Sequence, residues 1–437
     1  MFEEKLLKKF MRPLLSLQTS VLMLLVTLAG CAQSGTTGAR GPTAADDSLS
    51  EQTVVLISID GFRHDYIELH GANNIAKIAE QGVRSDGLIP VYPSKTFPNH
   101  LSIVTGQYPS KHGIVDNNFY DTERKQRYKM GDGAKDSSWL TTLPIWNLAE
   151  FQGVKAASYF WPESEARING RTPSYYVNYS TPAPNQQRID QIIAWLKLPA
   201  EARPRFVTGY FSIVDTMGHQ FGPESIQVKK SVQYIDKLIG ELWLRLQTEV
   251  EVPVNLILVS DHGMSDIKAE RMIDVGQLPV DSDLFETQNA QTRFMIYAND
   301  DTTAAQVDEL KAQLEQLTHL GFWIESEATL AELGVTAGPR KPSIVLATQA
   351  PVTFTSRPPE RRADGGTHGF HSNREMDGLF VAAGPALASG VTLPRFSNIH
   401  VYPFMAQLLG LELMSPIDGK ADVLAPIVTL TQKNQSQ

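Results

Sequence analysis

Residues 54–62, VVLISIDGF, and 91–118, VYPSKTFPNHLSIVTGQYPSKHGIVDNN, set the fold class of this 437-residue chain. Val54–Ile59 has the composition of a buried parallel strand. Asp60 stands where that strand stops, and Gly61 turns the chain. Thirty-six residues after Asp60 comes a hydroxyl, Thr96, just before a helical run from Phe97 to Thr105. Pro98 suits the first turn of a helix, which places Thr96 as its N-cap. An anion bound there would meet free backbone N–H groups and the positive end of the helix.

Outward from this stretch, strand-like and helix-like runs alternate. Helical segments are expected near Asn73–Gln81, Gln186–Leu196, Ser225–Thr248, Ala304–Leu317 and Ser397–Leu409. Strands are expected at Val83–Ile89, Lys155–Tyr159, Phe206–Val214, Asn255–Ser260, Arg293–Tyr297, Ser343–Thr348 and Leu379–Ala383. Residues 267–292 and 350–364 read as loops. The alternation predicts an α/β fold, a mostly parallel central sheet with helices on both faces. Ligands of such sheets gather beyond the carboxyl ends of the strands. Three of the expected strands end in aspartate there: Asp60, Asp215 (followed by His219) and Asp261 (followed by His262). Carboxylates packed together repel, and a divalent cation removes that repulsion. Imidazole plus carboxylate without thiolate suits zinc or another borderline metal. A fourth element, GGTHGFHSN at 365–373, offers His368 and His371, and spacing does not choose between them.

The ends of the chain carry other signals. A basic stretch (Lys5, Lys8, Lys9, Arg12) precedes an apolar run, Val21–Leu28, too short to span a bilayer. Leu28-Ala29-Gly30-Cys31 resembles a bacterial lipoprotein cleavage site. Residues 1–31 are therefore expected to be a signal peptide ending at a lipidated Cys31, with a periplasm-facing, membrane-anchored protein as the outcome. Cys31 is the only cysteine, so no internal disulfide and no thiolate ligand is available. Residues 32–52 read as a flexible tether, 53–427 as one catalytic domain and 428–437 as a polar tail. The net charge is −9, and removing residues 1–30, with four basic and two acidic residues, takes it to −11. An acidic protein is a poor nonspecific nucleic-acid binder, and none is expected as a stable partner.

Asp60-Gly61-Phe62, Pro93-Ser94-Lys95-Thr96-Phe97-Pro98-Asn99-His100, Thr105-Gly106, His112-Gly113-Ile114-Val115-Asp116-Asn117, Asp261-His262-Gly263-Met264 and His368-Gly369 together resemble the nucleotide pyrophosphatase/phosphodiesterase family of the alkaline phosphatase superfamily. The resemblance covers residues 53 to about 427 with the motifs in order. It implies an alkaline-phosphatase-like fold and two Zn2+ per chain, one on Asp215, His219 and His368, the other on Asp60, Thr96, Asp261 and His262. It implies attack by Thr96 on phosphorus, a phospho-threonine intermediate, Asn117 stabilising a phosphate oxygen, and a nucleotide or other small phosphodiester as substrate. HGFHSN departs from the family's usual His-Gly-aromatic-Asp-Asn.

Other residues are candidates for lesser roles. Ser94 is the rival nucleophile. Lys95 reads as solvated in preference to a phosphate contact. His100 and His112 could sit behind the ligands. Phe97, Tyr179 and Tyr210 are candidates for stacking a nucleobase. Three alternatives stay open: a choline-headgroup phosphodiesterase, a phosphatase or phosphonate hydrolase on the same scaffold, and a non-catalytic metal-binding lipoprotein.

Overall fold

A computed structural model describes residues 52–371 and 373–429. Cys31, the expected signal peptide, nearly all of the expected tether and most of the polar tail lie outside those residues. Among the described residues no helix is long and apolar enough to cross a membrane.

The central sheet has eight strands: β1 (Thr53–Ile59), β2 (Val83–Ser85), β3 (Ala156–Tyr159), β4 (Tyr175–Val177), β5 (Phe206–Phe211), β6 (Val254–Val259), β7 (Phe380–Ala383) and β8 (Val391–Leu393). Their order across the sheet is β8-β2-β7-β6-β1-β5-β3-β4. Only β7 runs against its neighbours, β2 and β6, so the sheet is mostly parallel as expected. The two faces of β1 separate by strict alternation. Val54 and Leu56 join one buried cluster with Leu101, Trp146 and Phe404. Val55, Ile57 and Ile59 join the other, with Ile75, Ile189, Val232 and Ile235. Burial on both faces is why this strand is almost uninterruptedly apolar.

The helices bracketing the sheet include α1 (Asn73–Gln81), α2 (Thr96–Thr105), α3 (Asn185–Leu196), α4 (Ile213–Phe221), α5 (Ile226–Thr248) and α6 (Val401–Leu409). Several expectations need correction. Strand β5 stops at Phe211, and Asp215 lies in the first turn of α4 instead of at a strand end. Ile213 and Val214 extend the β-prone run in sequence, but tertiary packing overrides propensity there. Helix α2 begins at Thr96 itself, with Lys95 extended at the cap (φ −116°, ψ 153°), so Thr96 is the first helical residue and not the N-cap. The Val83–Ile89 strand is likewise broken into β2 and a short Leu88–Ile89 pairing.

The two expected loops hold strands. Phe285–Asn289 pairs with Arg293–Ala298 in a four-stranded antiparallel sheet completed by Ile344–Thr348 and Phe322–Ile324. This sheet has its own apolar core, including Phe294, Ile296, Leu314 and Phe354. Thr353–Thr355 pairs in parallel with Met272–Asp274. At the other end, Val428 is buried and Thr429 N–H bonds to Ala386 O, so packing continues past residue 427.

Candidate active site

Neighbouring strands β1, β5 and β6 are parallel and in register, so their carboxyl ends share one edge. Asp60 follows β1 directly, and Asp261 follows β6 by two residues. Asp215 is carried to the same edge by α4, with His219 one turn later on the same helical face. The approach is tight at Gly61, which has φ +67°; a Cβ there would come within 2.9 Å of the Asp215 Cα.

Two groups of potential ligands result, Asp60–Asp261–His262 and Asp215–His219–His368, each with its donor atoms within 4.8 Å of one another. In the first, His262 Nε2 lies 2.9 Å from Asp261 Oδ2 and 3.4 Å from Asp60 Oδ1. In the second, Asp215 Oδ1 is 3.4 Å from His219 Nε2 and 3.6 Å from His368 Nε2. Thr96 Oγ1 lies 3.3 Å from His262 Nε2.

The tautomers of all three histidines follow from their outer nitrogens. Nδ1 of His219 is 2.9 Å from Gly366 O, that of His262 2.9 Å from Gly263 O, and that of His368 2.8 Å from Ser94 O. A carbonyl only accepts, so each Nδ1 carries the proton and each Nε2 turns a lone pair inward. Asp60 Oδ1, Asp215 Oδ1 and Asp261 Oδ2 are buried and accept no aligned hydrogen bond. Lone pairs facing lone pairs in a buried site repel, and a cation satisfies all of them. The donor set therefore fits metal ions.

The electrostatics agree. Burial, reinforced by Asp261 and Asp215, pushes the Asp60 carboxyl well above its usual range. Burial also raises Asp261, but the His262 and His100 imidazoles outweigh it and hold this carboxyl well down. Burial, His262, Lys95 and His219 together keep His368 neutral.

Around this centre, Tyr210 is 8% exposed and its hydroxyl donates to Asp60 Oδ2 at 2.5 Å. It thus orients a carboxylate and has no open face for a base, unlike the expectation. Tyr179 is exposed, 6.2 Å from the Tyr210 ring and 5.2 Å from Phe160. Phe97 is half-buried against the core. Its N–H donates to Asn117 Oδ1 at 2.8 Å, which fixes the amide so that the Asn117 NH2 is the group left for a ligand. Ser94 is buried: its hydroxyl donates to Phe370 O and accepts from Gly369 N–H, so it braces the His368 loop and is not a free nucleophile. Lys95, expected in solvent, is buried, and that burial brings its ammonium down to about 8.

His100 stands behind the centre, with Nδ1 2.8 Å from Thr96 O and 3.4 Å from Asp261 Oδ2. His112 bonds Ser102 and Pro98 inside the core, away from the ligands. His371 turns away from His368 to pair with Glu325. Arg362 pairs with Asp274, and Arg357 and Arg361 are exposed.

The cleft over the centre has a volume of about 200 Å3 and is lined by Lys95, Asp116, Asn117, His219 and His368, with Gln288, Asn289 and Gln291 opposite. Those three amides sit at a hairpin turn within a segment that reads as a loop, and no local signal marks them. Asp116 is buried and paired with Arg293 from the antiparallel sheet.

The type I phosphodiesterase / nucleotide pyrophosphatase family model matches residues 54–371, and the chain belongs to this family. It is 35% identical over 376 residues to a venom phosphodiesterase of Naja atra, covering 84% of this chain and 45% of the relative. It is 31% identical over 380 residues to the ectonucleotide pyrophosphatase/phosphodiesterase family member 3 of Rattus norvegicus, covering 84% and 43% respectively. The chain thus spans less than half the length of these curated relatives. In fold it is similar to human ectonucleotide pyrophosphatase/phosphodiesterase 5, with a TM-score of 0.78 and 25% identity over 86% of this chain and all of that one. The murine counterpart, solved as an inactive variant with AMP, gives 0.79 at 24% identity with the same coverage.

Proposed function

We propose that this chain hydrolyses phosphodiester or pyrophosphate bonds of nucleotides, releasing a nucleoside 5'-monophosphate, with two Zn2+ and Thr96 as nucleophile. The observation that carries the reading is the Thr96 hydroxyl standing over His262 where two His/Asp groups meet. Asp215, His219 and His368 would hold one ion, and Asp60, Asp261, His262 and Thr96 the other. When bound, the ions supply the positive charge that acidifies the threonine hydroxyl and neutralises phosphate oxygens.

Thr96 Oγ1 then attacks phosphorus, the P–O bond to the leaving group breaks, and water later cleaves the phospho-threonine to free the monophosphate. The first turn of α2 fixes Oγ1 for in-line attack. The Asn117 NH2, held by Phe97 N–H, donates to a non-bridging oxygen, and buried Lys95 adds a cation. The names of the relatives support a nucleotide substrate, and exposed Tyr179 is the candidate for stacking its base. A choline headgroup needs an aromatic cage with free carboxylates, whereas this cleft presents a lysine, amides and an Asp116 already tied to Arg293. We also propose that Cys31 is lipidated and anchors the protein to the bacterial envelope.

The test compares p-nitrophenyl thymidine monophosphate, p-nitrophenyl phosphate and p-nitrophenyl phosphorylcholine, with zinc-loaded and EDTA-treated protein. Preference for the thymidine diester, lost with EDTA, is expected. Preference for the choline ester would replace the substrate assignment, and turnover surviving EDTA would remove the metal from it.

A further inference from the structure

A second cavity, of about 240 Å3, lies on the other side of the Asp116–Arg293 pair. Asp116 lines the catalytic cleft, whereas Arg293 lines this space between the main body and the antiparallel sheet. Its walls are aliphatic, with Val115, Leu330, Val335 and Val345 among them. Arg293, Arg340 and Lys341 also line it, and among the described residues no acidic one does. Each of these cations has a carboxylate partner outside the lining, Asp116 for Arg293, Asp121 for Arg340 and Glu327 for Lys341.

Arg340 bonds Asp121 through Nε and the carbonyls of Gly113 and Trp139 through one terminal nitrogen. Arg293 is less engaged. It gives one terminal nitrogen to Asp116, while its Nε makes no aligned hydrogen bond; the hydroxyl of Tyr92, which lines the same cavity, interacts with that guanidinium and its own proton has no acceptor. Both residues are only 5% exposed, and the guanidinium lies 4.8 Å from the Tyr92 ring centroid. Unpaired buried donors are costly, and a ligand offering two acceptor oxygens satisfies them.

We propose that this cavity binds a small amphipathic carboxylate, its head on Arg293 and Tyr92 and its apolar body along the Val115–Val345 wall. A neutral apolar molecule leaves the donors unpaired, and a bare anion leaves the aliphatic wall wet. The volume falls below the ~300–1,000 Å3 of sites for drug-sized ligands, so the occupant is short.

The test is calorimetric titration of zinc-loaded full chain with octanoate, acetate and octanol, with inorganic phosphate in excess to occupy the catalytic cleft. Octanoate is expected to bind at one site per chain, at least ten-fold tighter than acetate or octanol. Removing Arg293 risks unfolding by orphaning Asp116, so Lys341→Gln and Val335→Trp are the variants of choice. Each is expected to weaken octanoate at least five-fold with diester hydrolysis unchanged. Octanoate binding no tighter than acetate, octanol matching octanoate, or wild-type affinity in both variants would overturn the proposal.

Discussion

The imidazoles of His262 and His368 lie face to face, 3.5 Å between ring centroids and 12° from parallel. One belongs to each ligand group, so the two groups share a wall and are not independent sites. Two cationic imidazolium rings could not stack this way when buried. The arrangement holds only with at least one ring neutral, in keeping with the lowering of His368 by burial and by its charged neighbours.

Loss of Asp215 or His368 from the Asp215–His219–His368 group should be felt as loss of one ion. In Asp215→Ala or His368→Ala, zinc measured by atomic emission should fall by about one per chain, with diester turnover falling in parallel. Unchanged stoichiometry in both variants would rule out the assigned ligands.

Thr96→Ala is expected to lower kcat on the order of 10³-fold or more while circular dichroism stays near wild type. Thr96→Ser, keeping the oxygen, should recover part of the rate. A fully active alanine variant would remove Thr96 from the chemistry.

Tyr210→Phe deletes the bond to Asp60 Oδ2 and leaves the ring in place against His100. Zinc affinity, followed by competition with a chelating dye, should weaken about 10- to 100-fold, the range for groups that orient ligands. Retained zinc affinity would show that Asp60 needs no such support.

Glu163 offers a prediction away from the centre. It is buried at φ +61°, accepting from the Tyr128 hydroxyl and Gly133 N–H, while its Oε2 has no partner. Burial pushes its carboxyl up from 4.5 to about 7. The folded state thus holds a proton that the unfolded chain releases, and stability drops as pH rises from 4.5 towards 7, in all by ~3 kcal/mol. Glu163→Gln should flatten that part of the curve and be the more stable protein at pH 8. Parallel urea-denaturation profiles across this range would refute the assignment.

Much of this was legible because the chemistry sits at punctuation marks. Asp60 and Asp261 each end an apolar run, and His368 is announced by the glycines around it. One of these, Gly369, has φ +108°, and a Cβ there would come within 2.3 Å of the Lys95 Cε. Asp215 was legible as a candidate ligand but not in its element, because Ile213-Val214 looks like more strand. What stayed hidden depends on contacts distant in sequence. Asp116 meets Arg293 across 177 residues, Tyr210 meets Asp60 across 150, and the amides at 288–291 arrive on a hairpin. No local pattern encodes which way a side chain turns when its partner comes from another part of the chain.

The position of β7 has a consequence for biosynthesis. This strand, Phe380–Ala383, is inserted between β2 and β6 in the middle of the sheet, though it is made after both. His368 emerges just before it, and Ser94 waits for that histidine across 274 residues. Chains leave the ribosome from the N-terminus at ~5–20 residues per second, with early segments folding first where they can. Here the early segments cannot finish. Both the sheet and the Asp215–His219–His368 group close only when residues 368–383 are supplied, so a product terminated before them would carry most of the motifs without the His368 half of the centre.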